Sequence, residues 1–428
     1  MKILIEFGGY SLANLGDFAM LQVAVSRLKK RWPDCQITVF TTNPDRLKEL
    51  CPAVDPLDIT GQFKFDWASF FSKKIRHYAT RLNFSDALHD VEWKIHQIVP
   101  GLAKKRIETK IAQTSANDTL LTSQLKAIHE ADLVISSGGG YITDTFPNKA
   151  ERTLSILNLS VCLGKPTVLL GHGIGPLVNK QLRAKASIVL PKMSFISLRE
   201  SRRSVSLLHE LGVSDSQITT TGDDAIELAY QNRSADYGNG IGVNLRAAKY
   251  SNVAADSINR VRTAIHSVAK EKNIPLYPVP ICHHPDENDP KAIQAVLAGY
   301  DDTSDGGQSL KTPIEIAQQA GRCRVVITGS YHAGVFSLSQ GIPIIGLAKS
   351  AYYQDKFLGL ADQFGAGCQV VFLNDDSLEN NLKAAIEKAW DSLETTSPQL
   401  LDSAKRQIDR GHAAYQQVYH LMEKKAAA

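Results

Sequence analysis

Short apolar runs alternate along this chain of 428 residues with longer segments that have helical spacing. The runs are rich in valine, isoleucine and leucine, and they occupy residues 2–7, 37–40, 133–136, 167–170, 195–198, 240–245, 324–328 and 343–347. Runs this short, apolar at successive positions, are typical of parallel strands that helices cover on both faces. The alternation therefore predicts βαβ units and doubly wound sheets.

Two sets of such units follow one another, separated by a polar, glycine-containing stretch at 232–240. That composition is typical of a linker, and the chain is longer than one hydrophobic core usually organises. The sequence predicts a Rossmann-like N-terminal domain over 1–232 and a second Rossmann-like domain over 233–397. Residues 398–428 have the spacing of a final helix.

The segment from 62 to 112 departs from this rhythm because aromatic and basic residues crowd together in it, most densely over 63–81. Aromatic side chains beside lysine and arginine on a helix can lie at a membrane surface, which predicts a peripheral membrane contact through 63–81. The alternative is a helical excursion packed on the N-terminal domain, since amphipathic helices usually face a core.

Composition and charge narrow the class of protein. Hydrophobic residues make up 43% and charged residues 21%, as in ordinary folded proteins. The net charge of +4 is too small for the concentrated basic surface of a nucleic-acid binder. The six cysteines form no C-x-x-C pair, so no metal or redox motif is indicated, and free thiols suit a reducing compartment. Without a signal peptide pattern or a spanning apolar run, a cytoplasmic location is expected, with the inner face of the membrane as an alternative.

A first glycine-containing turn follows the first strand. It leads from Gly9 through Asn14 and Gly16 to Asp17, where a helix begins. Backbone N–H groups at a helix N-terminus attract anions, and glycine lets a ligand approach the backbone closely. The alternative is a tight turn in which Asp17 caps the helix.

A second turn contains Gly138, Gly139 and Gly140 directly after a strand, with Asp144 a few residues later. Three glycines at the carboxyl end of a strand predict a backbone cradle for a ligand. Asp144 can accept the proton of an acceptor hydroxyl, or it can simply cap the next helix.

A third turn places His172 between two glycines at another strand end, followed by Gly173 and Gly175. A histidine in this setting is expected to face a cleft rather than to be embedded. A structural histidine is the alternative.

Two arginines, Arg199 and Arg246, each follow a predicted strand directly. A guanidinium group suits two-point capture of a carboxylate or phosphate. The alternative for Arg199 is a salt bridge, for example with Glu200. Asp223 also ends a strand, where it can meet a polar substrate or cap the following helix.

Ser330, Tyr331 and His332 lie where a strand gives way to a helix in the second set. The N–H groups at such a helix start attract phosphate, and a histidine there can act as an acid or a base. Lys349 and Lys356 follow the next strand and are expected to cover the same cleft.

Taken in order, these motifs resemble the polysaccharide pyruvyl transferase family. The matching segments are Asn14-Leu15-Gly16-Asp17, Gly138-Gly139-Gly140 with Asp144, residues 171–176 and 197–201, Asp223-Asp224, Asn244-Leu245-Arg246, and His332 with Gly341-Ile342-Pro343. The resemblance implies a GT-B-like fold, in which two Rossmann-like domains face each other across a cleft and a C-terminal helix crosses back. It also implies transfer of a pyruvyl group from phosphoenolpyruvate to a sugar of a cell-surface polysaccharide or its precursor, forming a ketal.

The resemblance further implies roles for the residues singled out above. Donor binding falls to Arg199, Arg246, Ser330, Tyr331 and Lys349. His332 or His172 gives a proton to the donor, and Asp17 or Asp144 orients or deprotonates a sugar hydroxyl. The acceptor, a saccharide or a lipid-linked saccharide, meets Gly9, Asn14, Gly16, Gly138, Gly139, Gly140, Gly173, Gly175 and Asp223. This scheme requires no metal and no cofactor.

One departure from the family concerns the donor. Members of the family often carry Arg-x-His where this chain has Ser330-Tyr331-His332, and that arginine is expected to hold phosphate or carboxylate. Either Arg199, Arg246 or Lys349 substitutes for it, or the donor differs. A glycosyltransferase that uses a nucleotide sugar is therefore the alternative, and a catalytically degenerate sugar- or nucleotide-binding protein is a second one.

Overall fold

Two parallel sheets organise the chain in a computed structural model. The structure describes residues 1–60, 119–246 and 255–427, together with 73–81 and isolated positions between 84 and 109. Buried apolar clusters lie on both faces of each sheet, as the continuous apolar runs require. The fold is that of two Rossmann-like domains, as predicted.

The first sheet has seven strands in the order β3-β2-β1-β4-β5-β6-β7, all parallel. The strands are β1 (Lys2–Phe7), β2 (Gln36–Thr41), β3 (Asp55–Asp58), β4 (Leu133–Gly139), β5 (Thr167–His172), β6 (Phe195–Leu198) and β7 (Ile218–Thr220). The strand order reverses beside β1, and ligands of such sheets bind where the order reverses, outside the carboxyl ends of the strands.

The second sheet has five parallel strands. The strands of this half of the chain are β8 (Gly240–Asn244), β9 (Leu276–Pro278), β10 (His283–His284), β11 (Glu287–Asn288), β12 (Cys323–Thr328), β13 (Ile344–Ala348) and β14 (Cys368–Phe372). The sheet order is β14-β13-β12-β8-β9, and β10 and β11 form a separate antiparallel hairpin.

Helices cover both sheets. They are α1 (Leu15–Arg31), α2 (Pro44–Leu50), α3 (Lys73–Arg81), α4 (Thr119–Glu130), α5 (Pro147–Cys162), α6 (Lys180–Val189), α7 (Ser204–Glu210), α8 (Ala225–Gln231), α9 (Ala255–Lys272), α10 (Asp289–Leu297), α11 (Pro313–Gly321), α12 (Tyr331–Leu338), α13 (Ala351–Phe364), α14 (Leu378–Asp391) and α15 (Leu393–Ala427). Short 3-10 turns lie at Leu190–Lys192 and Asp215–Gln217. None of the helices in the described part of the chain is long and apolar enough to cross a membrane.

Every strand predicted from an apolar run is present, with ends that differ by a few residues at most. The last helix begins at Leu393, before the predicted start at 398, and continues through Pro398. Most of the predicted excursion over 62–112, including 63–72, lies outside the described residues, so the predicted membrane contact stays a prediction.

Helix α15 crosses back from the second domain onto the first. Its Tyr415, Val418 and Met422 complete the apolar core beside the first sheet. The Tyr415 hydroxyl donates to Asp224 Oδ2 at 3.0 Å, and Arg27 Nη1 lies 2.8 Å from the other oxygen of that carboxylate. This buried network therefore joins α1, α8 and α15.

Arg27→Ala is expected to lower the free energy of unfolding by about 3–5 kcal/mol, because it leaves the buried Asp224 carboxylate and the nearby Glu227 without their cation. Urea unfolding measures the loss. Arg31→Ala on the same helix is the matched control, since Arg31 and its partner Glu423 are exposed and their pair is expected to contribute less than about 1 kcal/mol. Equal losses in the two variants would contradict the prediction.

Candidate functional site

A cleft of about 340 Å³ lies between the two sheets. The carboxyl ends of β1, β4 and β6 face those of β8 and β12 and the β10–β11 hairpin across it. Of the residues predicted from sequence, the cleft is lined by Gly9, Asn14, Asp17, Gly140, Arg199, Arg246, Ser330, Tyr331 and His332. The structure thus brings together residues that are more than 300 positions apart in the chain.

Backbone hydrogen bonds join the two domains at one side of this cleft. The Leu15 amide donates to the Ile281 carbonyl at 2.8 Å, and the His283 amide donates to the Ala13 carbonyl at 2.8 Å. Between them, the Asn14 side chain caps α1 by accepting from the amides of Gly16 and Asp17 at 3.1 and 3.2 Å. The cap and the interdomain pairing together fix where Asp17 enters the cleft.

His332 lies in the first turn of α12 between two carboxylates. Its Nε2 is 3.5 Å from Asp223 Oδ2, and its Nδ1 is 3.8 Å from Asp17 Oδ1. The ring packs against α1, where a β-carbon added at Gly16 would lie only 2.1 Å from His332 Cγ. Gly16 therefore makes room for the histidine.

Arg199 reaches the cleft from the end of β6. Its Nη1 lies 3.4 Å from Asp223 Oδ2, and its guanidinium carbon lies 4.1 Å from the centre of the Tyr331 ring. A β-carbon at Gly140 or Gly173 would come within 2.9 Å of this guanidinium, so both glycines make room for it. The side chain is buried and is held on several sides.

Asp223 is the carboxylate shared by His332 and Arg199. Burial acts to raise its pKa, but His332, Arg199 and the Ala225 amide outweigh burial and hold the pKa below its usual value. Asp223 therefore stays ionised inside the protein and orients both Arg199 and His332.

Arg246 reaches the cleft from the second domain. Its Nε donates to Asp289 Oδ1 at 2.8 Å, and its Nη2 lies 3.3 Å from Ser330 Oγ. Asp289 is fully buried and also accepts from the amides of Ile281 and Cys282 at 2.9 Å. Sequence reasoning missed Asp289, although Asn288, Asp289 and Pro290 form a recognisable helix start, in which Asn288 is the cap and Asp289 is the first residue of α10.

Lys356 on α13 also lines the cleft, as expected from the sequence, whereas Lys349 does not. Lys349 lines a small recess behind Arg246, with Leu245 and Leu373. The predicted donor contact of Lys349 is therefore not supported by its position, because β13 carries it to the other side of Arg246.

His172 corrects another expectation, because its side chain is fully buried and does not face the cleft. Strand β5 continues through His172, and its Nε2 lies 3.1 Å from the Ser136 carbonyl oxygen on the neighbouring strand. Burial lowers the pKa of His172 from its ordinary 6.5 to about 4, so it is neutral near pH 7.

Asp144 also lies away from the cleft lining. Its carboxylate accepts from the backbone amides of Val178 and Asn179, just before α6. Asp144 therefore holds the loop before α6 and does not cap the next helix, α5, whose N-terminus has no side-chain cap. Because Asp144 is not among the residues that line the cleft, its position gives no support to a role as base.

Three of the predicted acceptor glycines pack against protein rather than line the cleft. A β-carbon at Gly138 would lie 1.9 Å from Met20, one at Gly139 would lie 2.1 Å from Tyr141, and one at Gly175 would lie 2.6 Å from Leu207. Close packing therefore explains why these three positions are occupied by glycine. Their direct role in ligand binding stays a prediction. No metal-holding group of three or more His, Cys, Asp and Glu side chains is found among the described residues.

Comparison with known proteins gives one family and one fold. A family model described as Polysaccharide pyruvyl transferase matches residues 14–350. None of the curated proteins matches this sequence.

Solved structures resemble the chain over nearly its whole length. An S. aureus MnaA–UDP structure has a TM-score of 0.57 at 13% identity and covers 100% of this chain and 97% of that one. A UDP-GlcNAc 2-epimerase from Neisseria meningitidis bound to UDP-GlcNAc has a TM-score of 0.54 at 12% identity and covers 99% and 100%. The calicheamicin glycosyltransferase CalG4 has a TM-score of 0.51 at 12% identity and covers 100% and 99%. Likeness at these identities shows the GT-B fold alone.

His172→Gln is expected to make the free energy of unfolding less sensitive to acid. Because His172 is neutral when folded and takes up a proton on unfolding below pH 6.5, the wild type loses stability as the pH falls from 6.5 towards 4. The loss from this group is at most about 1.4 kcal/mol per pH unit. Urea unfolding at several pH values measures it, with the exposed His420→Gln as control. Parallel pH curves for wild type and His172→Gln would refute the assignment.

Gly16→Ala is expected to destabilise the protein by about 1–3 kcal/mol, because the new methyl group overlaps the His332 ring. Helix propensity alone predicts the opposite sign, since alanine is favoured over glycine by about 1 kcal/mol. Gly359→Ala on α13 is the control, because its β-carbon would lie 3.9 Å from the nearest atom, Glu200 Cβ. Thermal unfolding measures both, and stabilisation by Gly16→Ala would contradict the packing argument.

Proposed function

The chain belongs to the polysaccharide pyruvyl transferase family, and we propose that it moves a pyruvyl group from phosphoenolpyruvate to a sugar, forming a ketal. The observation that carries the proposal is the meeting of Arg199, Arg246 and His332 in one cleft between the domains. The acceptor is a sugar of a cell-surface polysaccharide or of its precursor.

The cleft suits a small donor with several negative charges. Phosphoenolpyruvate carries a phosphate and a carboxylate on the same central carbon, and guanidinium groups bind both with charge-assisted hydrogen bonds. Arg199 and Arg246 approach from opposite domains, and the N–H groups of α12 add partial positive charge beside His332. Because carboxylates fix both arginines, little reorganisation is needed when the donor binds.

In the proposed reaction, His332 gives a proton to the methylene carbon of the donor, and Asp17 accepts a proton from a sugar hydroxyl. Two sugar oxygens bond to the central carbon of the donor, and its bond to the phosphate oxygen breaks. Of the two hydroxyl protons, one ends in the new methyl group and the other leaves with phosphate. The fixed cations stabilise the departing phosphate.

The acceptor is proposed to enter along the first domain, where Gly9, Asn14 and Asp17 line the cleft. A lipid-linked acceptor would place the enzyme at the inner face of the membrane.

A second candidate function is transfer of a sugar from a nucleotide sugar. Ser330 favours it, because it stands where family members often carry an arginine and brings no charge to the cleft. Two of the similar structures contain UDP or UDP-GlcNAc, which makes UDP-sugars the first nucleotide donors to test.

Two measurements distinguish phosphoenolpyruvate from a nucleotide sugar as the donor: the shift in melting temperature on binding and the release of phosphate. Phosphoenolpyruvate is expected to raise the melting temperature and, with an extract of bacterial saccharides as acceptor pool, to release phosphate. His332→Ala is expected to lower phosphate release by about 100-fold or more while the variant stays folded. The exposed His420→Ala serves as control and is expected to keep full activity.

Stabilisation by UDP-sugars alone, without phosphate release from phosphoenolpyruvate, would refute the pyruvyl transfer proposal in favour of the second candidate. Binding of a sugar or nucleotide without any turnover would indicate a degenerate binding protein. Unchanged activity in His332→Ala would remove this residue from the mechanism.

A further inference from the structure

A second cavity, of about 240 Å³, lies outside the cleft where both domains meet the last helix. One wall is the loop after β6, a second is the C-terminal half of α13, and a third is the middle of α15. The charged and amide side chains of this outer pocket include Glu200, Arg202, Asp362, Arg406, Gln407 and Arg410. The volume is close to the lower end of the range for small-molecule sites, so the pocket can hold a small polar ligand.

A smaller pocket of about 60 Å³ connects the position of the outer pocket with that of the cleft. It shares Arg199 and Lys356 with the cleft lining, and it shares Glu200 and Arg202 with the lining of the outer pocket. Helix α13 runs in the same direction, because Lys356 lines the cleft and Gln363 lines the outer pocket, about 10 Å further along the helix. The three cavities therefore form a row along the seam between the domains.

The two carboxylates in the outer pocket are engaged by the protein itself. Glu200 holds the start of α7, because its carboxylate accepts from the amides of Arg203 and Ser204 at 3.1 and 3.2 Å. Asp362 lies 2.9 Å from Arg202 Nη1, in an ion pair that joins α13 to the loop after β6. The arginines of α15 are therefore the charged groups of this pocket that can bind a ligand.

Both arginines of α15 are accessible to an anion. Arg406 pairs with Asp402 of the same helix, and the two side chains are more than half exposed. Because exposed ion pairs are weak, an anionic ligand can displace Asp402 from Arg406. Arg410 is also exposed and lies one helical turn further along α15. Two guanidinium groups of this kind suit a carboxylate or a phosphate group.

The outer pocket also contains a buried acceptor that lacks a donor. Gln407 is only 5% exposed, and its amide nitrogen lies 3.4 Å from Ser403 Oγ. The Ser403 hydroxyl in turn donates to the Gln363 carbonyl oxygen at 3.0 Å, so Ser403 accepts from Gln407. Among the residues that the structure describes, none donates to Gln407 Oε1. Buried acceptors seldom lack a donor, and a ligand hydroxyl can supply it here.

We propose that the outer pocket binds an acidic sugar, a monosaccharide unit that carries a carboxylate or phosphate group. The charged group binds Arg406 and Arg410, and a sugar hydroxyl donates to Gln407 Oε1. Ser201 and Thr220 in the same lining suit the remaining hydroxyl groups. The choice of a sugar over other hydroxylated anions rests on the proposed function, because a polysaccharide acceptor brings further sugar units with the one that reacts.

The position of the outer pocket then gives it a role in holding the acceptor chain. A ketal keeps the carboxylate of the donor, so each modified sugar unit is acidic. One modified unit in the outer pocket and an unmodified unit in the cleft would hold the same chain at two places. Two linked contacts bind more tightly than either does alone, so a chain that already carries a ketal is the preferred acceptor.

Titration calorimetry of the full chain near pH 7 tests this site with glucuronate, glucose 6-phosphate and glucose. The two anionic sugars are expected to bind at least about tenfold more tightly than glucose, which lacks a charged group for the arginines. Arg410→Gln is expected to weaken binding of the anionic sugars about tenfold, in line with one charge-assisted hydrogen bond. Gln407→Met, which removes the acceptor and keeps a side chain of similar size, is expected to weaken it about threefold.

Arg31→Gln is the matched control, because Arg31 is an exposed arginine that pairs with the exposed Glu423 and does not line the outer pocket. It is expected to bind the three sugars as the wild type does. Equal affinity for glucose and glucuronate, or wild-type affinity in either Arg410→Gln or Gln407→Met, would overturn the site. Binding of glucose 6-phosphate without binding of glucuronate would keep the pocket as a sugar phosphate site and overturn its role in holding a modified chain.

The outer pocket and pyruvyl transfer can fail separately. Phosphate release from phosphoenolpyruvate by a protein that binds neither anionic sugar would refute the outer pocket and leave pyruvyl transfer intact. Binding of glucuronate that depends on Arg410, without phosphate release from phosphoenolpyruvate, would refute pyruvyl transfer and leave the acidic sugar site intact.

Discussion

The buried ion pair between Arg27 and Asp224 is the constraint on which both the fold and the cleft depend. Asp224 binds α1 through Arg27 and α15 through Tyr415, while its neighbour Asp223 turns towards Arg199 and His332. Adjacent residues cannot move independently, so the anchoring of the C-terminal helix also sets the position of the buried Asp223 carboxylate behind Arg199 and His332. Removing one partner of a buried ion pair lowers the free energy of unfolding far more than removing one partner of an exposed pair. Substitutions of Arg27 or Asp224 are therefore expected to destabilise the protein strongly.

The sheets could be predicted from the sequence because buried parallel strands carry continuous apolar runs. The strands of the two sheets that were not predicted from such runs are the four edge strands, β3 and β7 of the first sheet and β9 and β14 of the second, and most of their residues are only partly buried. The end of β5 shows a different limit. The glycine before His172 indicated a turn, but Gly171 continues the strand, and the histidine is consequently buried between neighbouring elements.

The cleft was predictable where chemistry follows a strand end, as it does for Asp17, Arg199, Arg246 and His332. The sequence could not show which side chains contact these residues from distant positions in the chain. Asp289 orients Arg246 from 43 positions away, and the environment of Lys356 depends on two arginines that come from different sheets. The glycines were recognised as unusual, but their neighbours, such as His332 beside Gly16, emerge only from tertiary packing.

The path of α15 has a consequence for how the protein is made. The ribosome synthesises this helix after both sheets, yet Tyr415, Val418 and Met422 belong to the core of the first. While the second domain is being synthesised, part of the apolar core of the N-terminal domain is therefore uncovered, and Asp224 lacks its tyrosine partner. Domains that are complete in themselves can fold in order as they emerge. In this protein the core of the first domain is completed only when α15 has been synthesised. Until then its apolar surface can aggregate or bind chaperones.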